Sequence, residues 1–122
     1  MKHIALRVGL STLFVAVTET PEEMHRGLAG QPGLPDGWGM LFDMGVDSYH
    51  PFHMIGVTFP LDFIFVDAAQ RVAAILQEQP PGRPEVGATG RWIIEAPSGW
   101  ARRHGVSIGT IVIGLPAPAR DY

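Results

Sequence analysis

Residues that break helices interrupt this chain every few positions. Gly contributes 15 and Pro 11 of the 122 residues, roughly twice their share in ordinary globular proteins. Because Gly costs backbone entropy in a helix and Pro removes one of its hydrogen bonds, no long helical bundle can form. The apolar fraction of 46% is nevertheless large enough for a buried core. The sequence therefore predicts one compact domain with many turns.

Charge and cysteine content exclude several functions. The formal net charge is −3 and no run of Lys or Arg occurs, so we expect no nucleic-acid partner and no binding to anionic membranes. The absence of cysteine rules out disulfides, thiolate catalysis and Cys-based zinc sites. No apolar run approaches the roughly 20 residues of a spanning helix. These features predict a soluble protein.

Alternating apolar residues predict an N-terminal β-hairpin. Every second position is apolar in 4–8 and again in 13–17, with Gly-Leu-Ser between. The apolar stretch after Lys2 and Arg7 also resembles a short signal peptide, but the alternation favours the hairpin. Cytoplasm is the default location on this reasoning.

A capping motif predicts the first helix. Thr20 can cap it, Pro21 suits its first position and Glu23 completes a capping box. Gly30 and the following Pro should end it, giving a helix over 20–29. Beyond it the sequence predicts a loop at 30–39, a short buried strand at 40–42 and a second loop at 45–51.

The second half of the chain predicts more short strands. Residues 63–66 are apolar without alternation, as in a strand covered on both faces. Ser98 is the candidate cap of a second short helix over 98–104. The remaining predicted segments are a return strand at 72–77, a long flexible loop at 78–90, strands at 91–96 and 110–113, and a frayed tail at 115–122.

Together these elements predict the fold class. About eight short strands and two short helices, at 20–29 and 98–104, make a mainly β domain over 1–114. The expected architecture is a β-sandwich or a partly open barrel.

Several motifs resemble the bacterial and archaeal family called domain of unknown function 192. The motifs occur in the family's order from about Phe14 to Gly114. They are Arg26-Gly27-Leu28, Gly39-Met40-Leu41-Phe42, Phe52 with Met54, Pro60-Leu61-Asp62 with Phe65 and Asp67, and then Glu95, Gly99, Gly105 and Gly109. The resemblance implies a compact, jelly-roll-like β domain, often exported in relatives, whose activity is not established.

Two motifs depart from the family's pattern. Where the family has Phe-Trp-Met followed by a cation and a hydroxyl, this chain has Phe52-His53-Met54 followed by Ile-Gly-Val. After the first helix, Ala29-Gly30-Gln31 replaces the family's Met-Gly-Arg. Any anion or sugar site common to the family should therefore be weakened here.

Three charged residues in apolar segments form the first candidate site. Arg26, Asp62 and Glu95 need partners, because an isolated charge is costly to bury. They could form a structural clamp that docks the first helix on the sheet. Alternatively they could form the polar floor of a small-molecule pocket. The predicted ligand-binding residues are Arg26, Met40, Phe52, His53, Met54, Asp62 and Glu95.

The same part of the sequence offers possible metal ligands. Met40, Met44, His50, His53 and Met54 offer ligands that suit Cu(I), although such methionines are more often core residues. We expect no metal and no cofactor.

His53 could instead act as a general acid or base beside Asp62 or Glu95, which would make the protein a hydrolase. A third alternative is a protein-interaction module that acts through a sheet edge or the 78–90 loop. Among the tryptophans, Trp38 lies between two glycines and is the candidate exposed contact residue, whereas Trp92 is expected in the core. The favoured interpretation is a non-catalytic module that binds a small molecule or a protein.

Overall fold

The computed structural model describes residues 1–116 and shows one seven-stranded sheet with two short helices. The strands lie in the order β5-β4-β6-β3-β2-β1-β7. The elements in chain order are β1 (Lys2–Val8), β2 (Ser11–Val17), α1 (Pro21–Arg26), β3 (Trp38–Phe52), β4 (Leu61–Val66), β5 (Val72–Gln79), β6 (Val86–Pro97), α2 (Trp100–Arg103) and β7 (Val112–Ile113).

The sheet curls into a half-barrel. Its two edge strands approach each other at one end, where Arg71 before β5 bridges Ile111 before β7. The backbone N–H of Val72 donates to Thr110, and that of Val112 donates to Gln70. The predicted mainly β, partly open barrel with two short helices is confirmed. The finer jelly-roll description stays a prediction.

Each face of the sheet carries its own core. Leu41 and Ile94 point to the face covered by α2, here called the α2 face, where Trp100 is fully buried. Met40 and Phe42 point to the opposite face, here called the α1 face, which is covered by α1 and the segments at 27–37 and 53–60. All six residues of β4 are buried, as predicted for a strand covered on both faces.

Helix α1 begins as the sequence predicts and ends earlier. The Thr20 hydroxyl accepts the Glu23 N–H, and the Glu23 carboxylate accepts the Thr20 N–H, so the capping box is present. The helix ends at Arg26 because Gly27 adopts φ 52° and ψ −126°, which no helix can continue. The predicted continuation to residue 29 is therefore wrong.

Strands β3 and β6 are longer than predicted. Residues 48–52 of β3 pair with residues 86–90 of β6, after an irregularity between Asp43 and Ser48. The predicted loop at 45–51 and the predicted long loop at 78–90 are wrong over these paired residues. Mutual backbone pairing stabilises both segments, although neither has a marked apolar alternation.

Helix α2 has a different cap from the predicted one. Ser98 makes no capping hydrogen bond, and Gly99 occupies the N-cap with a left-handed backbone. The Asp62 carboxylate accepts the N–H groups of Gly99 and Ala101 in its place. The predicted cap Ser98 is therefore wrong.

Neither helix within residues 1–116 has the length and apolarity to cross a lipid bilayer. The predicted tail at 115–122 lies outside the described residues from position 117 onward.

Candidate functional site

A cavity of about 210 Å³ lies on the α1 face, between α1 and strands β3 and β6. Four of its lining residues have ionisable side chains, namely His25, Arg26, His53 and Glu95. Its apolar lining consists of Met24, Leu28, Phe42, Met44, Pro51, Phe52 and Val57. Apolar walls with a few polar groups are the usual composition of a small-molecule site. We call it the Glu95 cavity.

Glu95 is a buried acidic residue of this cavity, and its pKa is raised. It lies on β6 between Met40 of β3 and Phe63 of β4, so its side chain points to the apolar α1 face. The residue is only 4% exposed, and its Oε1 has no hydrogen-bond partner within the described residues. This burial raises the pKa of Glu95 to about 8. The carboxyl is therefore mainly protonated at pH 7 and can donate a hydrogen bond.

Gly27 brings the backbone after α1 close to this carboxyl. A Cβ at Gly27 would lie 3.5 Å from Oε1 of Glu95 and 3.7 Å from the tip of the Phe42 ring. The same residue has a positive φ, which side-chain-bearing residues rarely adopt. Gly27 thus ends α1, and its lack of a side chain lets the backbone pack close to the Glu95 carboxyl.

Two histidines lie together at the same cavity. The rings of His25 and His53 are 5.8 Å apart, one edge facing the other. Nδ1 of His53 accepts the backbone N–H of Ile55 at 3.1 Å. The neutral ring therefore carries its proton on Nε2. This bond fixes the orientation of an imidazole whose Nε2–H can donate a hydrogen bond.

Arg26 supplies the permanent positive charge of the cavity. Arg26 is exposed at the end of α1. Within residues 1–116, no carboxylate forms a salt bridge with its guanidinium. Because Glu95 is largely neutral at pH 7, the Arg26 charge is not cancelled inside the cavity. A hydrogen-bond acceptor or a negative group suits this lining better than a cation.

The structure brings four of the seven predicted ligand-binding residues to this cavity: Arg26, Phe52, His53 and Glu95. Phe52 packs edge to face against Phe42, with ring centroids 5.0 Å apart. Met40 lines a neighbouring cavity. Met54 is fully buried in the core of the α1 face and lines neither cavity.

Asp62 lies apart from the predicted ligand-binding residues that line the Glu95 cavity. It pairs with Ala96, one position beyond Glu95, and therefore points to the α2 face. There it accepts the backbone N–H groups of Glu78, Gly99 and Ala101 at 2.9 to 3.0 Å. Neither a clamp nor a common pocket floor of Arg26, Asp62 and Glu95 exists, because the two carboxyls lie on opposite faces of the sheet.

The predicted Cu(I) ligands are dispersed. Met54 is in the core, while Nε2 of His50 lies 2.9 Å from the Val46 carbonyl oxygen. Met44 and His53 line the Glu95 cavity, and Met40 lines the neighbouring one. Across residues 1–116, no three His, Asp or Glu side chains are grouped to hold a metal ion.

His25, Met24 and Leu28 line the cavity but were not predicted as site residues from the sequence. Met24 and Leu28 are four positions apart in the sequence, a spacing that places two residues on one face of a helix, and such a face normally covers a sheet. That pattern could have indicated that the end of α1 forms one wall of the cavity. Nothing in the sequence places His25 beside His53.

Comparisons with known proteins agree with the motif resemblance. The model of the DUF192 family, described as an uncharacterized ACR, matches residues 4–113. No curated protein matches the chain.

Two solved structures share the fold. One is a proposed transcription regulator from Sinorhizobium meliloti 1021, with 22% identity and a TM-score of 0.86, covering 91% of this chain and 92% of the other. The second is a protein of unknown function from Novosphingobium aromaticivorans DSM 12444, with 26% identity and a TM-score of 0.82, covering 90% of this chain and 84% of the other. At 22% identity, the first similarity concerns the fold alone.

Proposed function

Because this chain belongs to the uncharacterised DUF192 family, we propose its function from the site itself: the domain binds a small, largely apolar molecule in the Glu95 cavity. The ligand presents a hydrogen-bond acceptor, such as a carbonyl oxygen, to the protonated carboxyl of Glu95. Arg26 and His53 line the same space and favour an acceptor at its polar side.

The observation that carries this proposal is the state of the Glu95 carboxyl. A buried polar atom without a partner costs about 1 to 3 kcal/mol of stability. Oε1 of Glu95 is such an atom within the described residues, and its side chain lines the cavity. A ligand that accepts a hydrogen bond from this carboxyl offsets part of this cost. Ligand binding thus gives a role to a glutamate at a position that otherwise suits an apolar residue.

The size of the cavity limits the ligand. Sites for drug-sized molecules measure about 300 to 1,000 Å³, and this cavity measures about 210 Å³. Phe42 and Phe52 form an aromatic wall, so a compact ring with one acceptor group fits the lining. We expect millimolar affinity for such a simple probe, since small ligands have few contacts.

The test uses cyclohexanone as the probe and cyclohexylammonium as a ring of similar size without an acceptor. Binding is followed by the backbone N–H signals of Gly27 and Ile55 in two-dimensional NMR. Cyclohexanone should shift them and cyclohexylammonium should not. Glu95→Gln keeps a donor and should bind, whereas Glu95→Met keeps the side-chain size and should not.

Glu22→Gln is the matched control, because Glu22 is exposed in the first turn of α1. It should bind cyclohexanone as the unaltered protein does. If Glu95→Met binds cyclohexanone equally well, the carboxyl does not recognise the ligand and the proposal is wrong.

A second function is favoured by one observation, the raised pKa of Glu95 in a cavity that His53 also lines. A carboxylic acid with a pKa of about 8 in a cavity is suited to general acid catalysis near neutral pH. The reaction would be a hydrolysis in which water bonds to the substrate, the bond to the leaving group breaks, and Glu95 protonates that group and regains a proton from the attacking water. Ester, phosphate and glycoside substrates should then be cleaved by the unaltered protein and more slowly by Glu95→Gln and His53→Ala. Equal rates for all three proteins would eliminate this function.

A further inference from the structure

A second cavity, of about 340 Å³, lies beside the first on the α1 face. Residues 26–28 line both cavities and separate them. Its floor is built by the sheet, because His3 of β1 pairs with Ala16 of β2, which pairs with Met40 of β3. All three side chains line the cavity, so β1, β2 and β3 form one continuous surface beneath it. We call it the Trp38 cavity.

Trp38 gives this cavity an exposed aromatic wall. The residue is 43% exposed, in contrast to Trp92 and Trp100, which are buried. The indole is held by two neighbouring rings: His3 lies edge-on at 5.9 Å and Phe14 lies at 5.6 Å between ring centroids. An indole that is oriented by its neighbours loses little freedom when a flat ligand stacks on it.

The ionisable groups of the lining favour an anion. Arg26 is a lining residue, and no Asp or Glu accompanies it among the lining residues found within 1–116. The side chains of His3, Gln31 and Trp38 there can also donate hydrogen bonds. A guanidinium can bind a carboxylate with two parallel hydrogen bonds. The remaining walls are largely apolar, including Leu28, Leu34 and Pro35.

We propose that the Trp38 cavity binds a small aromatic carboxylate, with its ring on Trp38 and its carboxylate at Arg26. This site goes beyond the function proposed for the Glu95 cavity, whose ligand has an acceptor group and meets Glu95 and His53, which do not line the Trp38 cavity. A flat ring matches the aromatic wall, and the negative charge matches the guanidinium of Arg26.

The test compares three probes by isothermal titration: 2-naphthoate, its uncharged amide 2-naphthamide, and cyclohexanecarboxylate. Only 2-naphthoate has both the flat ring and the charge, so it should bind most tightly. Loss of the charge should weaken binding about tenfold, and loss of the aromatic ring about three- to tenfold. Equal affinity for 2-naphthoate and 2-naphthamide would overturn the proposed role of Arg26.

Substitutions in the lining test whether 2-naphthoate binds in the Trp38 cavity. Trp38→Leu and Arg26→Gln should each weaken 2-naphthoate binding, while Arg83→Gln, which alters a cation lining neither cavity, should not. Trp38→Phe keeps a ring and should bind with intermediate affinity, which separates loss of stacking from a loss of structure. Unchanged binding by Trp38→Leu would overturn the proposal.

NMR provides an independent readout, because the three tryptophans give three indole N–H signals. Addition of 2-naphthoate should move the Trp38 signal and leave those of Trp92 and Trp100 in place. Glu95→Met should bind 2-naphthoate normally, so a failure of the Glu95 site can be distinguished from a failure of this one. Movement of the two buried indole signals alone would contradict the proposal.

Discussion

Asp62 accepts the backbone N–H of Gly99 at 3.0 Å, although 37 positions separate the two residues in the chain. The same oxygen accepts the Glu78 N–H, and the second carboxylate oxygen accepts that of Ala101. One buried side chain thus connects β4 to the end of β5 and to the start of α2. The three donors compensate the cost of burying the charge.

Asp62→Ala should strongly destabilise the domain. The substitution leaves three N–H groups without their acceptor, and each such group costs about 1 to 3 kcal/mol when it stays buried. We expect a loss of about 3 kcal/mol or more in the free energy of unfolding, measured by urea denaturation. Asp62→Asn should cost less, since one oxygen remains.

Asp36→Ala is the control for this prediction, because Asp36 forms an exposed ion pair with Arg103. Such a pair contributes at most about 1 kcal/mol. Equal effects of Asp36→Ala and Asp62→Ala would show that the buried network has no special importance.

Stability should fall as the pH rises from about 4.5 to 8, because of Glu95. Its pKa is raised to about 8 in the folded protein from an ordinary value of 4.5. Between these values the folded state holds a proton that the unfolded state has released. The free energy of unfolding therefore decreases with pH through this window and levels off above it, with a total loss of up to about 5 kcal/mol.

Glu95→Gln should remove this pH dependence, since its amide does not ionise. Urea denaturation at several pH values between 5 and 9 would show a flatter profile and greater stability than the unaltered protein at pH 8. Glu22→Gln should keep the original slope. A slope that persists in Glu95→Gln would mean that another group causes it.

Gly27→Ala should destabilise the domain through the backbone. The Gly27 backbone has φ 52° and ψ −126°, a conformation that is strained for a residue with a Cβ. Such strain costs about 1 to 3 kcal/mol. The new methyl would also contact Glu95 and Phe42. Gly33→Ala is the matched control, because Gly33 has no positive φ and open space around its Cβ position. Thermal unfolding should separate the two variants, and equal midpoints would contradict the prediction.

Local signals predicted the parts of the fold that depend on neighbouring residues. The hairpin of β1 and β2 follows from alternation, and the start of α1 follows from the capping box at Thr20. The pairing of 48–52 with 86–90 is a contact between distant, Gly- and Pro-containing segments. Nothing in either segment alone indicates its partner.

The same distinction applies to the site. The charged residues Arg26, Asp62 and Glu95 stand out in the sequence, but their grouping depends on strand register. Because Asp62 pairs with Ala96 rather than with Glu95, the two carboxyls point to opposite faces. A shift of one residue reverses the face, and the sequence does not specify that register.

Gly39→Ala and Gly87→Ala should differ in cost, although an added methyl meets an obstacle at both positions. At Gly39, which pairs with Val15 of β2 next to the point where β3 begins to pair with β6, the Cβ would lie 2.5 Å from the backbone carbonyl oxygen of Glu95. At Gly87 it would meet the hydroxyl end of Tyr49, an exposed side chain that can turn away. The backbone at Gly39 can yield only if strand pairing is disturbed.

We therefore expect Gly39→Ala to cost about 3 kcal/mol or more and Gly87→Ala about 1 kcal/mol. The smaller cost includes the hydrogen bond from Tyr49 to Glu85, which is lost when the ring moves. Adding Tyr49→Ala should remove most of the Gly87→Ala effect and none of the Gly39→Ala effect. This double-mutant comparison by urea denaturation tests both positions. A Gly87→Ala effect that persists in full without the Tyr49 ring would show that Tyr49 is not the obstacle at Gly87.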